Sequence, residues 1–306
     1  MSVIATTLLS GPGGEIAIGD EHPFRIIGER INPTGRTQLT EELKVMDMAT
    51  VQRDALAQVR AGAAVLDLNA GIPGFDEAAM LSAVVKTVHE VVDVPLCIDS
   101  STPEALEVAV PLAQGKVLIN SVTAEEHSLE RLLPLVARFG AAVVGMANDE
   151  EGISMDPHAR LAAARKIVER AADHGIPASD IVVDPLVMPI GALGQAGQHA
   201  FQLLRRLREE LKVNTTCGAS NVGFGLPNRQ NVTGTFLSMA IASGMTSAIM
   251  NPMHAEVKSA VMAADVLMGT DRDCAAWIRA NRDPDAPTGE GGRGGREGRR
   301  RRRPAG

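Results

Sequence analysis

The chain has 306 residues, 45% of them hydrophobic, and a mean hydropathy of +0.03, so a large core is available while no apolar run approaches the roughly 18 residues of a membrane span. Six Phe, one Trp and no Tyr exclude the stacking platforms of single-strand nucleic-acid binders, and three scattered cysteines (Cys97, Cys217, Cys274) exclude a disulfide framework or a CxxC metal site. A net charge of −7 and a start, MSVIATTLLSGPGG, without a basic or secretory segment leave the expectation of a soluble, cytoplasmic, enzyme-sized α/β chain.

Residues 1–23 read as an N-terminal extension. From Phe24 short β-type runs alternate with amphipathic stretches. The runs are FRIIGERI (24–31), AVLDLNA (64–70), PLCIDS (95–100), VLINSV (117–122), AAVVGMA (141–147), DIVVDPL (180–186), TTCGAS (215–220) and SAIMNP (247–252). Each is short, mostly aliphatic and closed by polar or turn residues, as strands buried on both faces are. Helical patterns fill the gaps, among them EALEVAVPLAQ (104–114), HARLAAARKIVERAADHG (158–175), AFQLLRRLREEL (200–211) and EVKSAVMAADVLMG (256–269). The second of these follows Asp156-Pro157, an N-cap with proline in the first turn, and stops at Gly175. Trp277 is expected to anchor a last helix on the body, and Met239, Met245, Met250 and Met253 to fill the core.

Eight strand–helix units over about 245 residues fit a (β/α)8 TIM barrel spanning 24–282. A doubly wound sheet is disfavoured because GERINPTGR, after the first strand, is not the glycine fingerprint. Residues 283–306 form a Gly/Arg-rich tail, expected to be disordered. It carries seven Arg against two Asp and two Glu, a net of +3, so the first 282 residues sum to −10. The Arg run is the one feature compatible with nucleic acid; a solubilising tail is the plainer reading.

In such barrels the chemistry sits where strands end in the loops of the C-terminal face. Those positions offer Glu29, Arg30 and Asn32, then Asp67 and Asn69, Asp99 and Ser100, Asn120 and Ser121, Asp184, Ser220 and Asn221, and Asn251. Any one could merely cap a helix or close a turn. Together they make a rim of carboxylates and amides with few cations, mainly Arg30 and Arg229, which does not suit a phosphate clamp. His22, His89, His127, His158, His174, His199 and His254 lack HxH or HExxH spacing, so no metal site is expected. A carboxylate accepts two N–H bonds from an amino-pyrimidine edge, and an amide supplies a donor beside an acceptor. The rim therefore suits a planar heterocycle such as a pterin or a purine.

The motifs IIGERIN, VLDLNAG, LCIDSS, LINSVTAE, VDPLVMP and GASNVGFGLPNR, in this order, resemble the methyltetrahydrofolate:corrinoid protein methyltransferases and the folate module of cobalamin-dependent methionine synthase. The resemblance covers residues 24–280. It implies a pterin-binding barrel, commonly a homodimer, that moves a methyl group between N5 of tetrahydrofolate and the cobalt of a separate corrinoid protein. It also implies that Asp99, Asn120 and Asp184 hold the pterin, with Asp67 and Asn69 in the same shell. Asn221, beside Ser220, matches the residue that hydrogen-bonds N5. Arg229 matches an arginine that contacts folate or packs the loop. The segment GFGLPNR is richer in glycine than the SQNCQNR type of the acetogen enzymes.

Base-off cobalamin domains carry DxHxxG. DPHARL (156–161) lacks the glycine, so the corrinoid is expected on a partner protein. Two rival readings stand beside this one. Dihydropteroate synthase has the same barrel and motif order, but SNVGF puts Asn221 and Val222 where its SRK-type element has Arg and Lys. The other is an accessory barrel that binds a pterin without turnover.

Overall fold

The computed structural model describes residues 4–282; the expectations for the Arg-rich tail lie outside the described residues. β1 (Thr7–Gly11) and β2 (Gly14–Ile18) form an antiparallel hairpin. Eight parallel strands follow: β3 (Arg25–Ile31), β4 (Val65–Leu68), β5 (Leu96–Asp99), β6 (Leu118–Thr123), β7 (Ala142–Met146), β8 (Ile181–Asp184), β9 (Asn214–Thr215) and β10 (Ser247–Met250). Their order, β10-β3-β4-β5-β6-β7-β8-β9, closes through a parallel bridge between Gly218 and Ile249 and a bond from Thr215 N to Thr246 Oγ1 of 2.9 Å. This is the (β/α)8 barrel expected.

Helices cover the outside. α1 (Thr37–Lys44) and α2 (Ala49–Ala61) follow β3, and α3 (Glu77–His89), α4 (Pro103–Ala109), α5 (Glu126–Phe139), α6 (Pro157–Asp173), α7 (Ala196–Arg206), α8 (Arg229–Ala242) and α9 (Ala255–Met268) follow the later strands in turn. α10 (Ala275–Asn281) lies beyond, with no fully buried residue; Trp277 is half-buried there.

Strand alternation sorts the residues into two shells. Outward-facing Leu66, Leu68, Leu96, Ile98, Ile119, Val143, Ile181 and Val183 pack with the helices in one continuous core. Inward-facing Ile27, Val65, Cys97, Leu118, Val144 and Val182 fill the barrel axis. Two positions further along four of these strands, the inward residues become polar: Val65 is followed by Asp67, Cys97 by Asp99, Leu118 by Asn120 and Val182 by Asp184. The barrel is thus oily at its base and polar at its mouth.

The segment before Phe24 has a definite place. Leu9 and Ile18 of the hairpin are fully buried and join the inner cluster, closing the barrel at the end opposite the mouth. Ser10 N donates to Lys116 O (3.0 Å), Lys116 N to Ser10 Oγ (2.8 Å), and Asn214 Nδ2 to Thr7 Oγ1 (2.9 Å).

Two expectations need correction. The seventh run, read as 215–220, is a strand only over Asn214–Thr215, because the chain turns into a short 3-10 segment at Ala219–Asn221. Met245 and Met250 are buried as expected, but Met239 and Met253 are exposed on α8 and on the loop before α9.

Candidate active site

The mouth is organised by two amide–carboxylate pairs. Asn120 Nδ2 donates to Asp67 Oδ1 (3.2 Å), and Asn69 Nδ2 donates to Asp99 Oδ2 (3.0 Å). The Asn69 amide is oriented by Gly71 N, which donates to its Oδ1 (2.9 Å). Asp99 Oδ1 and the side-chain Oδ1 of Asn120 remain as acceptors for a ligand, the Asn120 backbone carbonyl being taken by Ser100 N at 2.9 Å. The peptide between Asn120 and Ser121 is cis, at the point where β6 shifts register against β7.

Burial governs the charges. Asp67, 3% exposed, is pushed up to about 8 by loss of hydration and then by the neighbouring Asp99 carboxylate, against bonds from Cys97 and Asn120. Asp99 rises to about 6, chiefly through burial, with Asn69 opposing and Glu77 adding. Both carboxyls are therefore raised together, and burial beside one another disfavours ionising the two at once.

Asp184 stands across the mouth and is raised to about 6, again mainly by burial. Its Oδ1 accepts from Leu186 N at 2.7 Å, in a turn where Leu186 has φ of 59°. Arg160, a buried residue of α6, clamps that turn: Nη1 donates to Pro185 O (3.0 Å) and Leu186 O (2.9 Å). Nothing in the sequence pattern distinguishes Arg160 from the other arginines of its helix.

Asn221 ends the 3-10 turn Ala219–Asn221 and is exposed toward solvent. A Cβ on Gly218 would lie 3.0 Å from Asn221 Nδ2, so glycine lets the amide rest over the strand end. Ser220 Oγ donates to the Glu29 carboxylate, 2.9 Å from either oxygen, so its hydroxyl is committed within the protein. Arg229 begins α8; a Cβ on Gly223 would come within 2.9 Å of Arg229 Cβ, so the glycine-rich loop lies directly on the start of that helix. Asp67, Asn69, Asp99 and Asn120 are joined by hydrogen bonds on one side of the mouth. Asp184, Asn221 and Arg229 stand apart from that set.

Two further residues, Glu29 and Glu77, belong to the mouth, and Gln58 supports it from the helix layer. Glu29 is largely buried and raised, by burial first and against Ser220, Arg30 and Arg229. It stands two positions after the inward Ile27, so its direction was readable from the alternation. Glu77 of α3 accepts from the hydroxyls of Ser100 and Thr102, fixing the loop after β5. Gln58, buried on α2, accepts from Arg30 N (2.8 Å) and sits where a Cβ on Gly28 would come within 2.6 Å of Oε1. Asp156, which opens the DPHARL segment, caps α6 by accepting from His158 N at 2.9 Å. Among the described residues no cluster of His, Cys, Asp and Glu could hold a metal ion.

A barrel with a dry base and a mouth of paired carboxylates and amides defines the pterin-binding class, and residues 28–251 match the family model "Pterin binding enzyme". The sequence is 32% identical over 263 residues to the methylcorrinoid:tetrahydrofolate methyltransferase of Eubacterium limosum, covering 84% of this chain and 96% of that protein. It is 30% identical over 240 residues to methionine synthase of Mycobacterium tuberculosis, covering 74% of this chain and 20% of that longer protein. In fold it is similar to dihydropteroate synthase from Thermus thermophilus, with a TM-score of 0.61, 24% identity, and 85% and 99% of the two chains covered. The enzyme from Stenotrophomonas maltophilia gives 0.64 at 18% identity, over 82% and 95%.

The chain belongs to the pterin-binding enzymes, in the methyltransferase family that includes the methylcorrinoid:tetrahydrofolate methyltransferases. It is a methyltransferase; its likeness to the dihydropteroate synthases is one of fold.

Proposed function

We propose that this enzyme moves a methyl group between N5 of tetrahydrofolate and the cobalt of a corrinoid carried by a partner protein. The observation that carries the reading is end-to-end similarity to a methylcorrinoid:tetrahydrofolate methyltransferase, combined with a mouth whose free acceptors suit a pterin edge. The pyrimidine edge of the pterin, rich in N–H donors, lies against Asp99, Asn120 and Asp184, with Asp67 orienting Asn120, Asn69 orienting Asp99 and the Leu186 turn orienting Asp184. Asn221 then faces N5.

N5 leaves the methyl carbon poorly unless electron density building on it is stabilised. An amide donor whose hydrogen bond strengthens as the C–N bond breaks favours the transition state over the ground state. Asn221 has no proton to release, so it positions and polarises while the proton reaches N5 through water. The same contacts serve both directions of transfer. The corrinoid is a substrate brought by its partner, in keeping with a DPHARL segment that lacks the glycine of the base-off motif and whose Asp156 caps α6.

The test is anaerobic mixing of the protein with methyltetrahydrofolate and Co(I) cobalamin, followed at the cobalt absorbance. Methylcobalamin forms with the native chain. Asn221→Ala lowers the single-turnover rate by about 10²-fold, the scale of losing one preorganised donor. An unchanged single-turnover rate with weakened pterin binding would make Asn221 a binding residue only.

A further inference from the structure

The arginines of α6 divide into two kinds. Arg165 and Arg170 meet carboxylates at the surface, Glu210 and Glu126. Arg160, in the first turns of the helix, is 3% exposed and forms no ion pair among the described residues. A buried cation without an adjoining anion is costly unless its N–H groups find acceptors. Arg160 finds them in two loops of the mouth. Nη1 donates to Pro185 O (3.0 Å) and Leu186 O (2.9 Å), in the loop after β8. Nε donates to Ser154 O, and Nη2 lies 3.8 Å from the Met155 sulfur, in the loop after β7. Asp156 braces the arrangement: its carbonyl oxygen accepts from Arg160 N (3.2 Å), and its own N donates to Ser154 Oγ (3.1 Å).

The turn held in this way is the one that aims Asp184. The N–H and C=O of a trans peptide point in opposite directions. The Pro185–Leu186 peptide is therefore strung between two side chains: its N–H donates to Asp184 Oδ1 at 2.7 Å, and its C=O accepts from Arg160. Leu186 adds its own carbonyl to the same guanidinium while holding φ of 59°, a conformation uncommon for a residue bearing a Cβ. A planar, rigid guanidinium can fix two consecutive carbonyls and a third from another loop; a flexible ammonium is a point donor and cannot.

Charge acts in the same sense. Burial raises Asp184, and Leu186 N, Gly218 N and the Arg160 charge oppose that rise. The Cys217 thiol, just after β9, is pushed up by burial and then by Asp184, so it stays neutral. Arg160 keeps its charge at any ordinary pH.

We propose that Arg160 is a positioning residue for methyl transfer: through the Pro185–Leu186 peptide it holds the Asp184 carboxylate toward the pterin edge, and it ties the loop after β7 to that peptide. This rests on the reading above, in which Asp184 accepts from the pyrimidine edge.

The test is equilibrium binding of 5-methyltetrahydrofolate to the full-length protein between pH 6 and 8. The variants are Arg160→Met, Arg160→Lys, Asp184→Asn, and Arg160→Met combined with Asp184→Asn. Asp67 and Asp99 titrate alike in all of them, so the ratio of variant to native affinity reports on Asp184. Arg160→Met weakens binding about threefold at pH 8 and about tenfold or more at pH 6, because Asp184 without the nearby cation takes up its proton at higher pH. Arg160→Lys keeps the charge without the fork, so its loss is about threefold at every pH. On the Asp184→Asn background the Arg160→Met loss no longer grows toward pH 6, since no carboxylate remains to titrate there. Losses from Arg160→Met that are the same at every pH, or the same on both backgrounds, would overturn the proposal and leave Arg160 a support of the loops alone. Native affinity in Arg160→Met or in Asp184→Asn would overturn it too. Should Arg160→Met not fold, Arg160→Lys decides, and native affinity in that variant removes the need for the fork. A native protein that binds no 5-methyltetrahydrofolate fails the functional reading itself, a result separate from these.

Discussion

At the scale of single residues, the mouth trades stability for ligand recognition. Asp67 has a folded pKa of about 8, well above its unfolded value, because folding removes it from water beside Asp99. A group raised in this way contributes its full stability below the unfolded pKa, near pH 4, and loses it as pH rises through about 8. Asp67→Asn keeps an oxygen for Asn120 Nδ2 and cannot ionise. The variant is therefore expected to match the native chain near pH 4 and to gain on it progressively up to about pH 8, by several kcal/mol in all, with weaker pterin binding throughout. Thermal melts of the ligand-free proteins between pH 4 and 9 measure this; a stability gap that does not widen with pH would remove burial as the cause. Asp99 and Asp184, raised to about 6, act in the other direction on binding: their carboxylates must be ionised to accept from the pterin edge, so affinity weakens as pH falls below about 6.

At the scale of elements, the β1–β2 hairpin holds the dry end of the barrel closed. Leu9 and Ile18 are both fully buried against Val65, Cys97, Leu118 and Val182, under the layer that carries the site. Leu9→Ala leaves a cavity there and is expected to cost about 2–4 kcal/mol, measured as a shift of the urea midpoint at unchanged slope, with the kinetic constants at 25 °C nearly intact. The same elements show what could be read in the chain beforehand. The barrel was legible because every strand but the seventh is an aliphatic run with polar or turn residues at its end, and Asp67, Asp99, Asn120 and Asp184 announce their direction by standing two positions beyond an inward aliphatic or cysteine residue. The hairpin was not, since TLLSG and GEIAI carry too little alternation to say which end of a barrel they would cover. Arg30 was placed at the rim by its position after the first strand, but its direction was not legible: β3 shifts register against β4 between Gly28 and Ile31, and a shift depends on pairing across strands that sequence spacing does not encode. Arg160 was equally silent, because its partners are backbone carbonyls 25 and 26 residues away.

At the scale of the whole molecule, the site opens at one face, and that face carries exposed apolar side chains on several loops. Phe75 lies on the loop after β4, Ile153 and Met155 on the loop after β7, Phe224 on the loop after β9 and Met253 on the loop after β10. No helix among the described residues is long and apolar enough to cross a membrane. On the proposed function, a corrinoid held by its own protein must come close enough to N5 for the methyl carbon to pass between them, which brings that partner against this rim. Phe224 is 64% exposed, directly follows the Asn221 turn, and sits in a loop whose Gly223 and Gly225 permit close approach, Gly225 with φ of 81°. Aromatic anchors at the centre of an interface commonly account for about 1–3 kcal/mol or more of binding. Phe224→Ser is therefore expected to raise the KM for the cognate corrinoid protein by about tenfold while kcat at saturation is retained, because the substitution changes docking and leaves the pterin wall untouched. A variant that lowered kcat without moving KM would show instead that the loop acts on the reacting atoms, and would place the partner's docking surface elsewhere on the rim.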